Sequence, residues 1–422
     1  MTFLNPTIAF NGELRFLNKP LGIRQLKGEI SPGRKGAEVA TDLVIRGQGT
    51  FIFTCTSPCS ITFRTMDGAD TLRIALYTQQ IQLFRNDQLL ESDNQTGLTV
   101  DAKAFYWLSL DAKRQRIAFG IGEARQETER FCYDFGTSAK SFLERFSTLL
   151  YDPRLLTSLR LLRTPIQNRI PLFVKNTDEL TMEAIARSSV MPRATLSPIG
   201  QKLYDTISGS NFALNSPDFP HFAEAIDHSI ATPGCWCHTR LMEKAGEFRA
   251  NPNMVYLRIT LGQNEGESPG IPYVMEIWPA GCFSPVHNHA GANAIIRVLH
   301  GSIRVCLYPY LGAATPFGDQ VFQTEDITWI SPVLNQIHHL ENPSQQGTAC
   351  VTIQCYMYDE SDTGHYNYFD YMDADEGGKI GHFEPDSDMD FIDFKARMKQ
   401  EWEQRAYVFF GQTKSTSLAH SE

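Results

Sequence analysis

Between residues 50 and 122 apolar residues recur two apart: Phe51 and Phe53, Ile61 and Phe63, Leu72 and Ile74, Ile81 and Leu83, Ile117 and Phe119. Side chains of an extended chain alternate between faces, so this spacing predicts strands with one face in a core. Asp67-Gly68 and Asn86-Asp87 fall between these stretches and supply turn residues. Short strands at such intervals predict an antiparallel β-sandwich or jelly roll over residues 1–135. The period then lengthens. Phe142, Phe146 and Leu149 predict one face of a helix capped by Ser138. Residues 136–214, with Pro165, Pro171, Pro192 and Pro198, read as a helical segment and linker.

Helical spacing returns at Phe222, Ile226 and Ile230, and strand patterns resume at 273–278, 294–298, 302–307, 326–330 and 350–356. Phe391, Phe394, Met398 and Trp402 predict a closing amphipathic helix. Residues 215–422 therefore read as a second β domain with flanking helices. The run Asp386-Ser-Asp388-Met-Asp390 reads as a solvated helix N-terminus, because it lacks the glycine and the terminal Glu of a calcium loop.

Composition narrows the function classes. A chain of 422 residues, 42% of them hydrophobic, has room for two or three domains with real cores. Its net charge of −10 argues against a nucleic-acid or anionic-membrane surface. No stretch reaches the roughly 18 apolar residues of a membrane span. No basic segment followed by an apolar run opens the chain, and nine scattered cysteines, an odd count, read as reduced thiols. These points predict a cytoplasmic protein. Cys55 with Cys59, and Cys235 with Cys237, lack the second pair of a structural zinc site and read as incidental thiols.

The chemistry concentrates in Gly281-Cys-Phe-Ser-Pro-Val-His287-Asn-His289 and in Ile337-His338-His339-Leu-Glu-Asn342. On an extended segment His287 and His289 point to one side, and His338 from a neighbouring strand can complete a facial set of three. Neutral imidazole suits iron, zinc, copper or nickel. Surface or core histidines are the plain alternative for any single one of them. His300 reads as solvent-exposed, and His339 as pointing away from its neighbour.

Gly281 stands six before His287, Gly301 twelve after His289, and Asn342 four after His338. This arrangement resembles the two motifs of the cupin superfamily, a small β-barrel with a metal in its mouth. Most metal-binding cupins add a Glu shortly after the second histidine, whereas residues 290–294 here hold no acid. A three-histidine set of that kind resembles the cysteine dioxygenase family of thiol dioxygenases. Trp278, nine before His287, fits that family, as does the strand Val351-Thr-Ile-Gln-Cys-Tyr356 with the following Asp362-Thr-Gly-His365. Tyr256-Leu-Arg258 resembles the segment carrying its carboxylate-binding arginine. The resemblance spans roughly residues 215–385.

The fold it implies is mainly β: a C-terminal cupin β-barrel with flanking helices, preceded by the antiparallel sandwich. The implied cofactor is Fe(II) on His287, His289 and His338. Arg258 and Tyr356 are the implied catalytic residues, with Gln354, Thr352, Trp278 and Tyr256 around them. The implied partners are a small thiol and O2, with no nucleic acid, no membrane and no assigned partner for the N-terminal domain. The implied reaction converts cysteine or a related carboxylated thiol to its sulfinic acid. Two positions depart from the family. Ala294 stands where animal members carry the cysteine of a Cys–Tyr crosslink, and Gln354 stands where a relay histidine is found. The alternatives are a 3-mercaptopropionate-type or other cupin metalloenzyme, or a metal- or ligand-binding sensor whose catalysis has decayed. The plain alternative for Arg258, less favoured than carboxylate binding, is half of a structural ion pair.

Overall fold

The structure is a computed structural model that describes residues 38–101, 103–155, 160–166, 169–247, 251–262, 272–359, 368–373, 378–384 and 386–415. The N-terminal half contains β1 (Val39–Asp42), β2 (Gln48–Thr54), β3 (Cys59–Thr65), β4 (Thr71–Tyr77), β5 (Gln80–Arg85), β6 (Gln88–Asp93), β7 (Phe105–Asp111), β8 (Arg116–Ile121), β9 (Glu129–Asp134), β10 (Phe146–Tyr151) and β11 (Arg160–Leu162). They form two antiparallel sheets, ordered β1-β10-β3-β4-β5-β6 and β11-β2-β7-β8-β9. The alternating residues picked out above, Phe51, Phe53, Ile61, Phe63, Leu72, Ile74, Ile81, Leu83, Ile117 and Phe119, fill the core between them. Asn86 and Asp87 join β5 to β6 with φ of 47° and 61°. Left-handed geometry at both turn residues matches the twist of a two-residue hairpin, and Asn and Asp tolerate it.

The helix expected over 138–149 is mostly a strand. Only Lys140–Leu143 is helical, and β10 pairs with both β1 and β3. A register shift between Phe146 and Thr148 explains the misleading period, because the extra residue turns Phe146 and Leu149 to the same core. The sandwich therefore extends past residue 135 and takes in β11 at Arg160–Leu162.

After a short parallel pair, β12 (Val174–Lys175) and β13 (Met191–Pro192), come helices Pro198–Ile207, Phe222–Ala231 and Trp236–Glu247. The barrel follows: β14 (Leu257–Gly262), β15 (Tyr273–Trp278), β16 (Asn293–His300), β17 (Ser302–Leu307), β18 (Gly318–Gln323), β19 (Ile327–Ile330), β20 (His338–Glu341), β21 (Cys350–Met357), β22 (Phe369–Asp373), β23 (Lys379–Phe383) and β24 (Met389–Asp390). One sheet runs β19-β16-β21-β15-β14-β24, the other β18-β17-β20, with β22-β23 as a hairpin. The segment around His287 bridges β20 and β22, so the hairpin continues the second sheet across the barrel mouth. Helix Phe391–Ser415 buries Phe394 and Met398 against Phe222 and Ile226, as the spacing predicts.

Asp388 overturns the solvated reading of its acidic run. Its carboxylate is only 3% exposed and accepts from Arg240 Nε at 2.9 Å, Lys244 Nζ at 2.9 Å and the Arg258 backbone N–H at 2.8 Å. Two cations and a strand amide outweigh its hydration, and the contact pins the start of β14.

Candidate metal centre

Cross-strand register decides what faces the barrel interior. Arg258 pairs with Glu276, Glu276 with Thr352, Thr352 with Val298, Gln354 with Val274 and Ile296, and Tyr356 with Ala294. Directly paired residues share a face, so one sheet presents Arg258, Glu276, Thr352, Gln354 and Tyr356 together. His338 lies on β20 of the second sheet, His287 bridges to it, and His289 follows two residues further on. His287 and His338 exchange backbone hydrogen bonds of 3.0 and 3.1 Å, which brings the separate sequence segments side by side.

His287, His289 and His338 are all buried, and a nitrogen of each lies within 4.8 Å of the other two. Among the described residues no carboxylate joins the group. Their tautomers follow from the acceptors. His287 Nδ1 donates to the Pro285 carbonyl at 3.0 Å and His338 Nδ1 to the Asn335 carbonyl at 3.2 Å. Each therefore turns its Nε2 lone pair inward. His289 Nε2 faces His338 Nε2 at 3.0 Å, while His289 Nδ1 is buried without a partner. Burial brings the His287 pKa down to about 4. Burial first, and then neighbouring imidazoles, hold His289 and His338 well below the usual range. Three neutral rings aiming lone pairs at one point repel unless a cation sits among them. A metal held at about 2.1 Å from two nitrogens at a right angle requires them roughly 3.0 Å apart. The donor set fits a metal.

Tyr356 stacks on His289 with ring centroids 5.4 Å apart and planes at 18°. Its hydroxyl donates to Gln354 Oε1, and Gln354 Nε2 in turn donates to Glu276. Thr352 Oγ1 lies 3.4 Å from the same amide nitrogen. Of Tyr356 and Tyr358, alternation along β21 puts Tyr356 on the face of Thr352 and Gln354, and Tyr356 is the one stacked on His289. Arg258 Nη1 pairs with Glu276 at 3.0 Å, both side chains about 5% exposed or less. Burial pushes the Glu276 carboxyl up, and Arg258 pulls it back. Burial, the largest single effect on Arg258, also disfavours its charge, but Glu276 together with Tyr256 and Tyr356 outweighs it and raises the guanidinium pKa. The ion-pair alternative for Arg258 thus holds for one nitrogen. Nε and Nη2, the two donors on the opposite edge, are buried with no partner. Trp278 stacks on Tyr256 at 4.1 Å and belongs to the apolar layer with Val298, Ile303 and Leu340 that fills the barrel away from Tyr356.

His339 packs at 5.4 Å from Phe283, outside the cluster, as strand alternation requires. His300 is not solvent-exposed as expected; its ring is half-buried, 3.6 Å from Asp227. Ala294 lies directly opposite Tyr356 and offers only a methyl group, so no crosslink partner stands at that position. Asp362 and His365 lie outside the described residues. Sequence reasoning missed three participants. Glu276 could have been found, since Val274, Glu276 and Trp278 alternate inward. Phe369, 4.7 Å from His289, and Phe383, 6.3 Å from His287, carry no local signal because their hairpin reaches the mouth only in the folded chain.

No protein-family model matches the sequence. Among solved structures, the chain is similar to a cupin superfamily protein from Desulfitobacterium hafniense at 12% identity and a TM-score of 0.19, over 25% of this chain and 79% of that one. It is similar to the cupin domain of Schizosaccharomyces pombe Cnp3 at 14% identity and a TM-score of 0.19, over 25% and 65%. An oxalate oxidase in complex with the substrate analogue glycolate matches at 17% identity and a TM-score of 0.21, over 28% and 56%. Each match covers little more than a quarter of this chain, and none bears on its activity. No helix among the described residues is long and apolar enough to cross a membrane. The chain is a mainly β protein with an antiparallel sandwich followed by a second β domain, and three buried neutral imidazoles meet in the mouth of that second domain.

Proposed function

We propose that the barrel holds Fe(II) on His287, His289 and His338 and oxidises a small carboxylated thiol with O2 to its sulfinic acid, both oxygen atoms entering the product. The observation that carries this reading is Arg258. Its Nε and Nη2 form the side-on fork that matches a carboxylate, and both are buried and unpaired while Nη1 is anchored by Glu276. Strand register puts Arg258 on the same face as Tyr356, whose ring stacks on His289, so the fork and the imidazoles face one interior. When bound, a ferrous ion with three neutral ligands keeps its full charge and open positions, and supplies thiolate binding and dioxygen activation. The chain does the rest. Glu276 and Gln354 orient Arg258 and Tyr356, the Tyr356 hydroxyl lies in the same hydrogen-bonded row, and Phe369 and Phe383 keep water from the mouth.

Oxygen uptake by iron-loaded protein with cysteine, 3-mercaptopropionate and cysteamine tests the reading. Arg258→Lys keeps a cation beside Glu276 but removes the fork. It should raise KM for the two carboxylated thiols about tenfold or more, without changing cysteamine turnover. Equal effects on all three would remove Arg258 from substrate recognition. Tyr356→Phe should lower kcat roughly ten- to hundredfold, the equivalent of about 1–3 kcal/mol, at unchanged iron content. Full activity in that variant would make the tyrosine structural. One feature favours the sensor reading instead: the Tyr356 hydroxyl donates its hydrogen bond to Gln354, an amide that cannot relay a proton. Metal binding without oxygen uptake on any of the three thiols would select it.

A further inference from the structure

The N-terminal sandwich reaches the metal centre through one polar strap. Beyond β8, Glu123 and Arg125 are each 2% exposed. Arg125 Nη1 donates to Asn335 Oδ1 at 2.9 Å, and its Nη2 to the Ile170 carbonyl at 3.2 Å. Asn335 adopts φ of 61°, its Nδ2 donates to the Trp329 carbonyl at 3.0 Å, and its own carbonyl receives His338 Nδ1. Glu123 Oε1 accepts the Gln336 backbone N–H at 3.1 Å. Gln336 Oε1 then accepts the Gly291 N–H at 3.2 Å, and its Nε2 donates to the Ala292 carbonyl at 2.9 Å. Gly291 and Ala292 begin the turn that follows His289. His338 is therefore two hydrogen bonds from Arg125 of the other domain, through Asn335, and the backbone after His289 is two hydrogen bonds from Glu123, through Gln336.

Packing alone does not fix this junction. Beside the strap the two domains leave a cavity of about 320 Å³ lined by Ala124, Leu162, Ile166, Ile170, Trp329 and Leu334. A buried arginine bonded at several points is costly to displace, whereas apolar walls around a void can slide. We infer that Arg125 and Glu123 are positioning residues for the metal, holding residues 335–336 so that His338 keeps its ring orientation and the turn after His289 keeps its place. This gives the sandwich a role at the metal centre, and it rests on the metal reading above. Partners that orient metal-bound histidines typically change affinity 10–100-fold when removed.

Cobalt(II) titration of the metal-free full chain, followed by its d–d absorption, tests the inference. Arg125→Met should weaken cobalt binding tenfold or more and alter the d–d spectrum. Leu108→Ala, which loosens the sandwich core without removing any hydrogen bond of the strap, should leave both unchanged at a temperature where the chain is folded. Should Arg125→Met fail to fold, Asn335→Gly deletes the same bond from the barrel side, keeps the left-handed backbone and should give the same loss. Affinity within twofold of the unaltered chain in the folded variant overturns the inference, as does an equal loss in Leu108→Ala. No cobalt binding by the unaltered chain overturns the metal reading itself, a separate result.

Discussion

Glu276→Ala should destabilise the barrel by about 3–5 kcal/mol, the range found when one member of a buried ion pair is removed. Arg258 Nη1 would lose its 3.0 Å partner while Nε and Nη2 already have none, leaving a buried guanidinium without an anion. Gln354 Nε2 would lose its acceptor in the same step. The urea midpoint of the barrel transition should fall accordingly, with little change in slope. Replacing both partners by apolar residues, Glu276→Leu with Arg258→Met, should recover most of the loss, because neither charge then needs compensation. A cost below about 1 kcal/mol in Glu276→Ala would show the pair to be hydrated rather than buried.

The second large effect concerns the imidazoles. Structural zinc sites with four protein ligands bind with about 10–16 kcal/mol, roughly 2.5–4 kcal/mol per ligand. His338→Ala should therefore weaken metal binding roughly a hundred- to thousandfold by dialysis and metal analysis. His339→Ala, one residue along, should bind as the unaltered chain does, because that ring packs on Phe283 outside the cluster. Equal losses from both would mean that the segment, and not the Nε2 donor, matters.

These residues differ in how far the amino-acid order alone points to them. His287, His289 and His338 were legible because extended chain puts i and i+2 on one side and because glycines flank them at characteristic distances. The helix at 391–415 was legible from Phe391, Phe394, Met398 and Trp402, a period that only a helix turns to one face. The strands from Phe51 to Phe119 were legible for the converse reason, since alternation is a property of each segment by itself. Tyr356 was chosen over Tyr358 by the same rule, and it stacks on His289.

What the sequence by itself determined, then, is whatever depends on neighbours along the chain: element type where the period is regular, and the histidines that gather in one cluster. Only the tertiary structure decided what depends on neighbours across it. The spacing of Phe146 and Leu149 imitates a helix because a bulge, created by pairing with β3, inserts one residue into a strand. Asp388 belongs to an acidic run that looks solvated until Arg240, Lys244 and the β14 backbone surround it. Arg258 meets Glu276 through strand register, and Arg125 meets Asn335 across 210 residues. Local pattern reports which side chains share a face, whereas an ion pair or hydrogen bond requires two faces to meet, and that is set by packing of the whole chain.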